Sequence, residues 1–301
     1  MTAAKRIGWV GLSGLAFLAA LGVQIISVVI VAIPYGIIKG MKAGREAAAQ
    51  GQGLNVNDIS SEIMGSMGDM MGIVLVVVGV LLLIVFIPWF YFGCGRQRIT
   101  RESIRRTFSP KTLLMVLVIA VGLNYGINCL LQLIYTQAPQ LLEDYIALME
   151  NSGLGVNVWT NAAAVILAPL GEELIFRGVA FYYARKAVSG MKNPRAAFWI
   201  ANCIQALLFG IYHMNLVQGV YAFFIGLALG YLCQKYRSLI PGMLTHLVFN
   251  GMSAVLGDRI YTWIPESALW YVLVGAAGVV LVLIAMFLNG PAVSKNEQNI
   301  A

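Results

Sequence analysis

Two glutamates and an arginine stand together in an apolar part of the sequence, within the run GEELIFRG. Glu173 and Arg177 are four residues apart, so on a helix they share one face and can form an ion pair. Glu172 is rotated about 100° from Glu173 around the same helix and is free to face a different neighbour. Because a bilayer makes an ionisable group costly unless it is paired or hydrated, these three side chains are candidates for a functional site.

The two histidines of the chain also lie in or beside apolar runs. His213 follows Phe209 by four residues, which places an aromatic wall beside an imidazole, and His246 precedes Asn250 by the same interval. A buried carboxylate beside an imidazole can take a proton from water as that water attacks a carbonyl carbon. A second imidazole and an amide can donate hydrogen bonds to the developing oxyanion. This set of side chains predicts peptide-bond hydrolysis without a covalent intermediate.

The same side chains leave a metal mechanism open. Glu172, His213 and His246 are of the types that bind a divalent cation such as zinc, which would activate the water instead. The HExxH spacing of soluble zinc proteases is absent from the sequence. A purely structural role is the alternative: a helix-locking ion pair for the charged groups, and interhelical hydrogen bonds for His246 and Asn250.

The elements that position these groups are membrane-spanning helices. Of the 301 residues, 59% are hydrophobic and 11% charged, against roughly 45–50% and about 25% in soluble domains. The apolar runs are long enough to cross a hydrocarbon core about 30 Å thick. The sequence predicts an all-α, polytopic membrane helical bundle. About eight transmembrane helices are predicted, at residues 8–38, 71–93, 112–135, 158–183, 196–213, 216–233, 239–256 and 267–288.

We predict three regions along the chain. Residues 1–110 form an N-terminal transmembrane pair with a polar loop and a basic loop. Residues 111–290 form the helical core, whose motifs lie within 158–256, and residues 291–301 form a polar tail.

Basic residues concentrate in alternate loops of this topology, at residues 94–111, 184–195 and 234–238, whereas the loop 136–157 is acidic. Such basic loops face the cytoplasm, so both termini are predicted to be cytoplasmic. Three basic residues fall on the opposite side and disagree with this orientation: Lys39, Lys42 and Arg45. The net charge of +7 does not indicate a nucleic-acid partner, because no basic stripe with interleaved aromatic residues lies outside the short loops.

The three motifs, EExxxR at Glu172–Arg177, FxxxH at Phe209–His213 and HxxxN at His246–Asn250, resemble in this order those of the CAAX-protease and bacteriocin-processing family of intramembrane proteases. This family includes the type II CAAX prenyl endopeptidases and the Abi proteins, and its members are often called metalloproteases. The resemblance covers roughly residues 158–256.

The resemblance implies a role for each motif residue. Glu172 would act as the general base on water together with His213. His246 and Asn250 would stabilise the oxyanion, and Glu173 and Arg177 would support the site. It also implies a peptide or protein substrate, membrane-tethered or prenylated, while the composition and short loops are those expected of a bacterial plasma-membrane protein.

Two other function classes stay open. A proton- or ion-coupled transporter also places carboxylates and histidines inside a bundle, although the sequence has no second half that resembles the first. A non-enzymatic membrane scaffold or immunity protein would keep full activity when Glu172 or His213 is replaced.

Overall fold

The computed structural model describes residues 1–51, 53, 56–95, 101–155 and 157–290. The predicted tail at 291–301 and part of the basic loop, 96–100, lie outside the described residues. Of the described residues, 87% are helical and none lies in a strand, which confirms the prediction of an all-α membrane bundle.

Thirteen α-helices follow one another in the described part of the chain. They are α1 (Ala3–Ala49), α2 (Val56–Gly65), α3 (Met67–Pro88), α4 (Arg101–Thr107), α5 (Pro110–Gln137), α6 (Glu143–Asn151), α7 (Val158–Ala162), α8 (Ala168–Glu172), α9 (Phe181–Ala187), α10 (Pro194–Tyr212), α11 (Leu216–Tyr236), α12 (Ile240–Gly251) and α13 (Ala268–Asn289). Several begin at a capping side chain that accepts a hydrogen bond from the first helical turn. These caps are Asn157, Ser109, Asn193, Asn215 and Ser267.

Among the described residues, six helices are long and apolar enough to span a membrane. They are Ala3–Ala49, Met67–Cys94, Pro110–Gln137, Pro194–Tyr212, Leu216–Tyr236 and Ala268–Asn289. The other two predicted spans are also helical but differ in form. The span predicted at 158–183 runs through α7, α8 and α9 with two π-helical stretches between them, and the span predicted at 239–256 is the shorter apolar helix Ile240–Leu256.

The first helix is longer than its apolar run. It continues through Pro34 to Ala49, beyond the end predicted at residue 38, because the residues that follow are good helix formers such as Ala, Lys, Met and Glu. Lys39 and Lys42 both contact Glu62 of α2, with Nζ–Oε1 distances of 3.1 and 3.0 Å. Two of the three basic residues that disagreed with the predicted orientation, Lys39 and Lys42, are therefore paired with an acid from the neighbouring helix.

Two contacts define one end of the bundle, which we call the basic end. Arg6 at the start of α1 donates from Nη1 to the carbonyl oxygen of Ala187 at the end of α9, over 3.2 Å. The Tyr231 hydroxyl near the end of α11 donates to the carbonyl oxygen of Met286 near the end of α13, over 3.0 Å. The basic loops that follow α9 and α11 lie at this end, so it is the predicted cytoplasmic end.

The opposite end, which we call the acidic end, carries the start of α7 and the acidic helix α6. Asn157 before α7 donates to Asp69 in the first turn of α3, over 3.0 Å. Tyr145 of α6 meets Tyr221 of α11 edge to face, with ring centroids 6.1 Å apart. The segment 257–267, which connects α12 to α13, returns the chain at this end.

Glycines bring α5 and α13 into close contact. A Cβ atom added at Gly278 would lie 2.6 Å from the carbonyl oxygen of Gly122, and one at Gly275 would lie 3.1 Å from Cβ of Cys129. Small residues at such crossings let two membrane helices approach closely enough for their backbones to pack. This pair therefore forms a rigid wall beside the candidate site.

Candidate active site

The helix that carries the glutamates is widened on both sides of α8. One π-helical stretch, Ala163–Leu167, precedes α8, and another, Glu173–Ala180, follows it. A π-helical turn has hydrogen bonds from residue i to i+5 and often occurs at functional sites. Pro169, which cannot donate a backbone hydrogen bond, lies in the first turn of α8. The helix thus contains two wide segments separated by α8, and Glu172 and Glu173 lie where α8 meets the second of them.

The ion pair predicted between Glu173 and Arg177 is confirmed. Arg177 Nη1 lies 2.9 Å from Glu173 Oε1, and both side chains are fully buried. The guanidinium also lies over the Phe209 ring, with 4.2 Å between Cζ and the ring centroid. A dry ion pair of this kind needs further polar or aromatic contacts to offset desolvation.

Two glycines make room for this ion pair, and sequence reasoning missed both. A Cβ atom at Gly242 of α12 would lie 3.0 Å from Glu173 Oε2, and one at Gly226 of α11 would lie 3.3 Å from Arg177 Nη2. A glycine inside a predicted helix lowers helix stability, so its presence indicates that another group approaches the backbone closely. This is the signal by which both glycines could have been found.

His246 lies between the two glutamates. Its Nδ1 is 3.1 Å from Glu173 Oε1, and its Nε2 is 3.6 Å from Glu172 Oε2. A carboxylate oxygen only accepts, so Nδ1 carries the hydrogen and donates to Glu173. Nε2 then faces Glu172 at a distance too long for a direct hydrogen bond.

Glu172 and Glu173 share His246 as a neighbour but otherwise have different surroundings: Glu172 lies on the wall of the cavity described below, and Glu173 contacts Arg177. The backbone is α-helical at both glutamates, so the rotation of about 100° between them holds. The two nitrogens of one imidazole point in different directions, which lets both carboxylates reach the same ring. The glutamates also differ in exposure: the Glu172 side chain is 13% exposed and the Glu173 side chain is 0% exposed.

His213 ends α10 and packs against Phe209. The two ring centroids are 4.9 Å apart at a steep angle, and Phe209 meets His246 in the same manner at 5.7 Å. The aromatic ring predicted beside the imidazole thus contacts both histidines and Arg177. His213 Nδ1 lies 2.9 Å from the carbonyl oxygen of Phe209, so Nδ1 donates and Nε2 is the nitrogen left for other partners.

Asn250 connects α12 to the first π-helical stretch. Its Nδ2 donates to the carbonyl oxygen of Ala164 over 2.8 Å. A primary amide has two N–H donors, so this contact fixes the side chain and uses one of them. Asn250 thus combines a structural contact with a position on the wall of the site.

A cavity of about 980 Å³ brings most of the predicted residues together. Its wall includes Glu172, Phe209, His213, His246 and Asn250. Glu173 and Arg177 do not contribute to the wall and lie behind it. The predicted site residues therefore divide into a group that faces the cavity and a fully buried pair that supports it.

Two further polar residues, Asn202 and Gln205, hold α10 against α11. Gln205 Nε2 donates to Asn202 Oδ1 over 2.7 Å and to the Gly226 carbonyl oxygen over 2.9 Å, and Asn202 Nδ2 donates to the Leu227 carbonyl oxygen over 2.9 Å. Neither side chain lies on the cavity wall. Their effect on the site is to fix the spacing of the helices that carry His213 and Gly226.

The arrangement does not fit a metal held by three protein ligands. Among the described residues, no three His, Cys, Asp or Glu side chains form a group that could hold a metal ion. This holds also for Glu172, His213 and His246. In the described part of the chain these three side chains are therefore not arranged as a preformed metal site.

The fold and this site define a polytopic helical membrane protein whose bundle encloses carboxylates and imidazoles around a cavity. Residues 154–252 match the family model described as type II CAAX prenyl endopeptidase Rce1-like, and this match supports the resemblance of that segment to the CAAX-protease and bacteriocin-processing family. All three motifs lie inside the matched segment. Comparisons with curated proteins and with solved structures give no match.

Proposed function

We propose that this chain is an intramembrane endopeptidase that hydrolyses a peptide bond with a water molecule activated by Glu172. The observation that carries the proposal is the position of His246, held by Glu173 on one side and facing Glu172 on the other at the wall of a large cavity. The family match supports hydrolysis of a peptide or protein substrate in the membrane.

The buried residues orient the imidazole. Arg177 pairs with Glu173, and Glu173 accepts the Nδ1 hydrogen of His246. This partner fixes the ring and its tautomer, as second-layer carboxylates commonly do for histidines. The Nε2 edge is thereby directed toward Glu172 and the cavity.

Glu172 is the general base in this mechanism. Its carboxylate is partly exposed to the cavity, so it can accept a hydrogen bond from a water molecule, and His213 Nε2 is a second acceptor on the same wall. As the water oxygen attacks the scissile carbonyl carbon, its proton passes to Glu172. When the carbon–nitrogen bond breaks, the protonated Glu172 returns that proton to the leaving amine.

The oxyanion that forms during attack needs hydrogen-bond donors. His246 supplies one from Nε2 when that nitrogen carries a hydrogen. Asn250 supplies another from the N–H that Ala164 does not use. Both act from fixed side chains, which is the condition under which such donors contribute most to rate.

We further propose that the protein lies in a bacterial plasma membrane with both termini in the cytoplasm, and that its substrate is tethered to the membrane. The charge difference between the two ends of the bundle supports this orientation. A tethered substrate is consistent with a cavity that is surrounded by membrane helices.

The test compares wild type with Glu172→Gln in proteoliposomes, using a library of membrane-tethered peptides and mass spectrometry of the products. We expect the substitution to lower the cleavage rate by roughly 10²- to 10⁴-fold, the usual contribution of a general base. Glu143→Gln, the same change at an exposed residue of α6, is the control and should cleave at the wild-type rate.

Two results would contradict the proposal. Cleavage by Glu172→Gln at the wild-type rate would show that Glu172 is not the general base. A wild-type protein that cleaves nothing but carries protons or a solute across the membrane would instead be a transporter.

A further inference from the structure

The cavity reaches one end of the bundle and not the other. Apart from the site residues, its wall includes the end of α6 and the loop after it, the start of α11, and the segment after α12. These wall residues include Met149, Glu150, Ser152, Gln218, Val255 and Tyr261. Each of these elements belongs to the acidic end.

The segment after α12 is held in place on this side of the bundle. The Tyr125 hydroxyl of α5 donates to the carbonyl oxygen of Ile260 over 2.9 Å, and the Tyr261 hydroxyl donates to Asn124 Oδ1. Tyr145 and Tyr221 join α6 to α11 across the cavity from it. The opening therefore lies between two anchored walls.

The basic end is closed by packed side chains. Phe176, Phe181, Phe198, Leu232 and Leu239 are all at most 2% exposed and fill the space between the site and the basic loops. Among the described residues of those loops, none lies on the cavity wall. A peptide cannot reach Glu172 from that end without displacing this core.

From these observations we propose that the cavity takes its substrate from the extracytoplasmic face of the membrane, entering between α6 and the segment after α12. The opening lies at the acidic end, and the charge rule assigns the opposite, basic end to the cytoplasm. The entry route follows from the fold alone. The statement that a substrate uses it rests on the proposed peptidase function.

The substrate class follows from the walls of this entrance. Leu75, Ile127, Leu131 and Ile225 line the cavity along its length, and the charged wall residues are Glu150, Arg259 and the catalytic glutamate. Apolar walls with few polar groups favour burial of an apolar chain segment. The expected substrate is an apolar or lipid-anchored segment of an exported protein, exposed on the extracytoplasmic side, and not a carboxyl terminus in the cytosol.

Thiol labelling tests the entry route without reference to catalysis. The reporter is Ala168→Cys, one helical turn before Glu172 and on the cavity wall, in a chain whose four native cysteines are replaced. Glu143→Cys marks the acidic end and Lys192→Cys marks a basic loop, and both positions are exposed. Each protein is treated with a membrane-impermeant thiol reagent in sealed vesicles of each orientation.

We expect Ala168→Cys and Glu143→Cys to be labelled from the extracytoplasmic side, and Lys192→Cys from the cytoplasmic side only. Labelling of Ala168→Cys only from the side that labels Lys192→Cys, or from neither side, would overturn the proposed entrance. Labelling of Lys192→Cys from the extracytoplasmic side would overturn its assignment to that face. Labelling in detergent checks that each thiol is reactive in folded protein.

The labelling result is independent of the peptidase test. An outward-opening cavity without cleavage by wild type would contradict the proposed function and leave the entrance in place. Cleavage that depends on Glu172, together with labelling from the cytoplasmic side, would contradict the entrance and leave the function in place.

Discussion

Removing Arg177 separates the structural role of the buried ion pair from its role in positioning His246. In Arg177→Met the Glu173 carboxylate loses its partner at 2.9 Å while it stays fully buried. Leaving one charge of a buried pair without its partner typically costs about 3–5 kcal/mol. At about 1.4 kcal/mol per factor of ten, the folded-to-unfolded ratio should fall by roughly 10²- to 10³-fold or more.

A second substitution recovers the stability but not the activity. In Glu173→Gln combined with Arg177→Met no charge is buried, and replacing both members of such a pair is often close to neutral. The glutamine oxygen still accepts the Nδ1 hydrogen of His246, but a neutral acceptor makes a weaker hydrogen bond than a carboxylate does. Loss of such a supporting partner commonly lowers activity about 10- to 100-fold.

The assay is denaturant unfolding in detergent, followed by the tryptophan signal, beside peptide cleavage by the same preparations. The expected order of stability is wild type close to the double variant, with Arg177→Met well below both. Equal stability of Arg177→Met and wild type would refute the claim that the pair is dry. A double variant less stable than Arg177→Met would refute the claim that the lone carboxylate carries the cost.

Three other changes have expected outcomes. Gly242→Ala puts a Cβ atom 3.0 Å from Glu173 Oε2, so cleavage should fall at least about tenfold, as for a displaced supporting group. Gly278→Ala puts a Cβ atom 2.6 Å from a backbone oxygen of α5 and should cost about 1–3 kcal/mol in unfolding experiments; unchanged stability would contradict the close contact. Gly14→Ala, whose Cβ atom would meet nothing within 4 Å among the described residues, is the control for both. The pKa of Glu62 is lowered by hydrogen bonds from its two lysine partners. Its stabilising contribution is therefore present above the ordinary carboxyl pKa and is lost as the pH falls through the lowered value. In Glu62→Gln the unfolding midpoint should depend less on pH in the acid range than it does in wild type.

The sequence was sufficient for the relations that depend on spacing along one helix. The Glu173–Arg177 ion pair and the contact of Phe209 with His213 both follow from an interval of four residues, and both are present. The apolar runs likewise predicted a helical membrane bundle, because their length alone matches the thickness of a bilayer.

Relations that depend on distant partners were beyond the same reasoning. The position of His246 between Glu172 and Glu173 depends on how α12 packs against the helix that carries the glutamates, and spacing along one helix gives no information on it. The extension of α1 to Ala49 and the pairing of its lysines with Glu62 involve a helix that follows a polar turn. Hydrophobic periodicity gives no information on such a partner.

The two adjacent glutamates are suited to different tasks because they lie on opposite sides of one imidazole. Glu173 is dry, bound to Arg177 and packed against the backbone at Gly242, so it can hold His246 but does not reach the cavity. Glu172 lies on the cavity wall and is too far from His246 for a direct hydrogen bond, so its carboxylate is open to a water molecule there. In the proposed mechanism one pair of neighbouring residues therefore provides both a fixed support and a proton acceptor, and packing makes the division, since the two side chains are chemically identical.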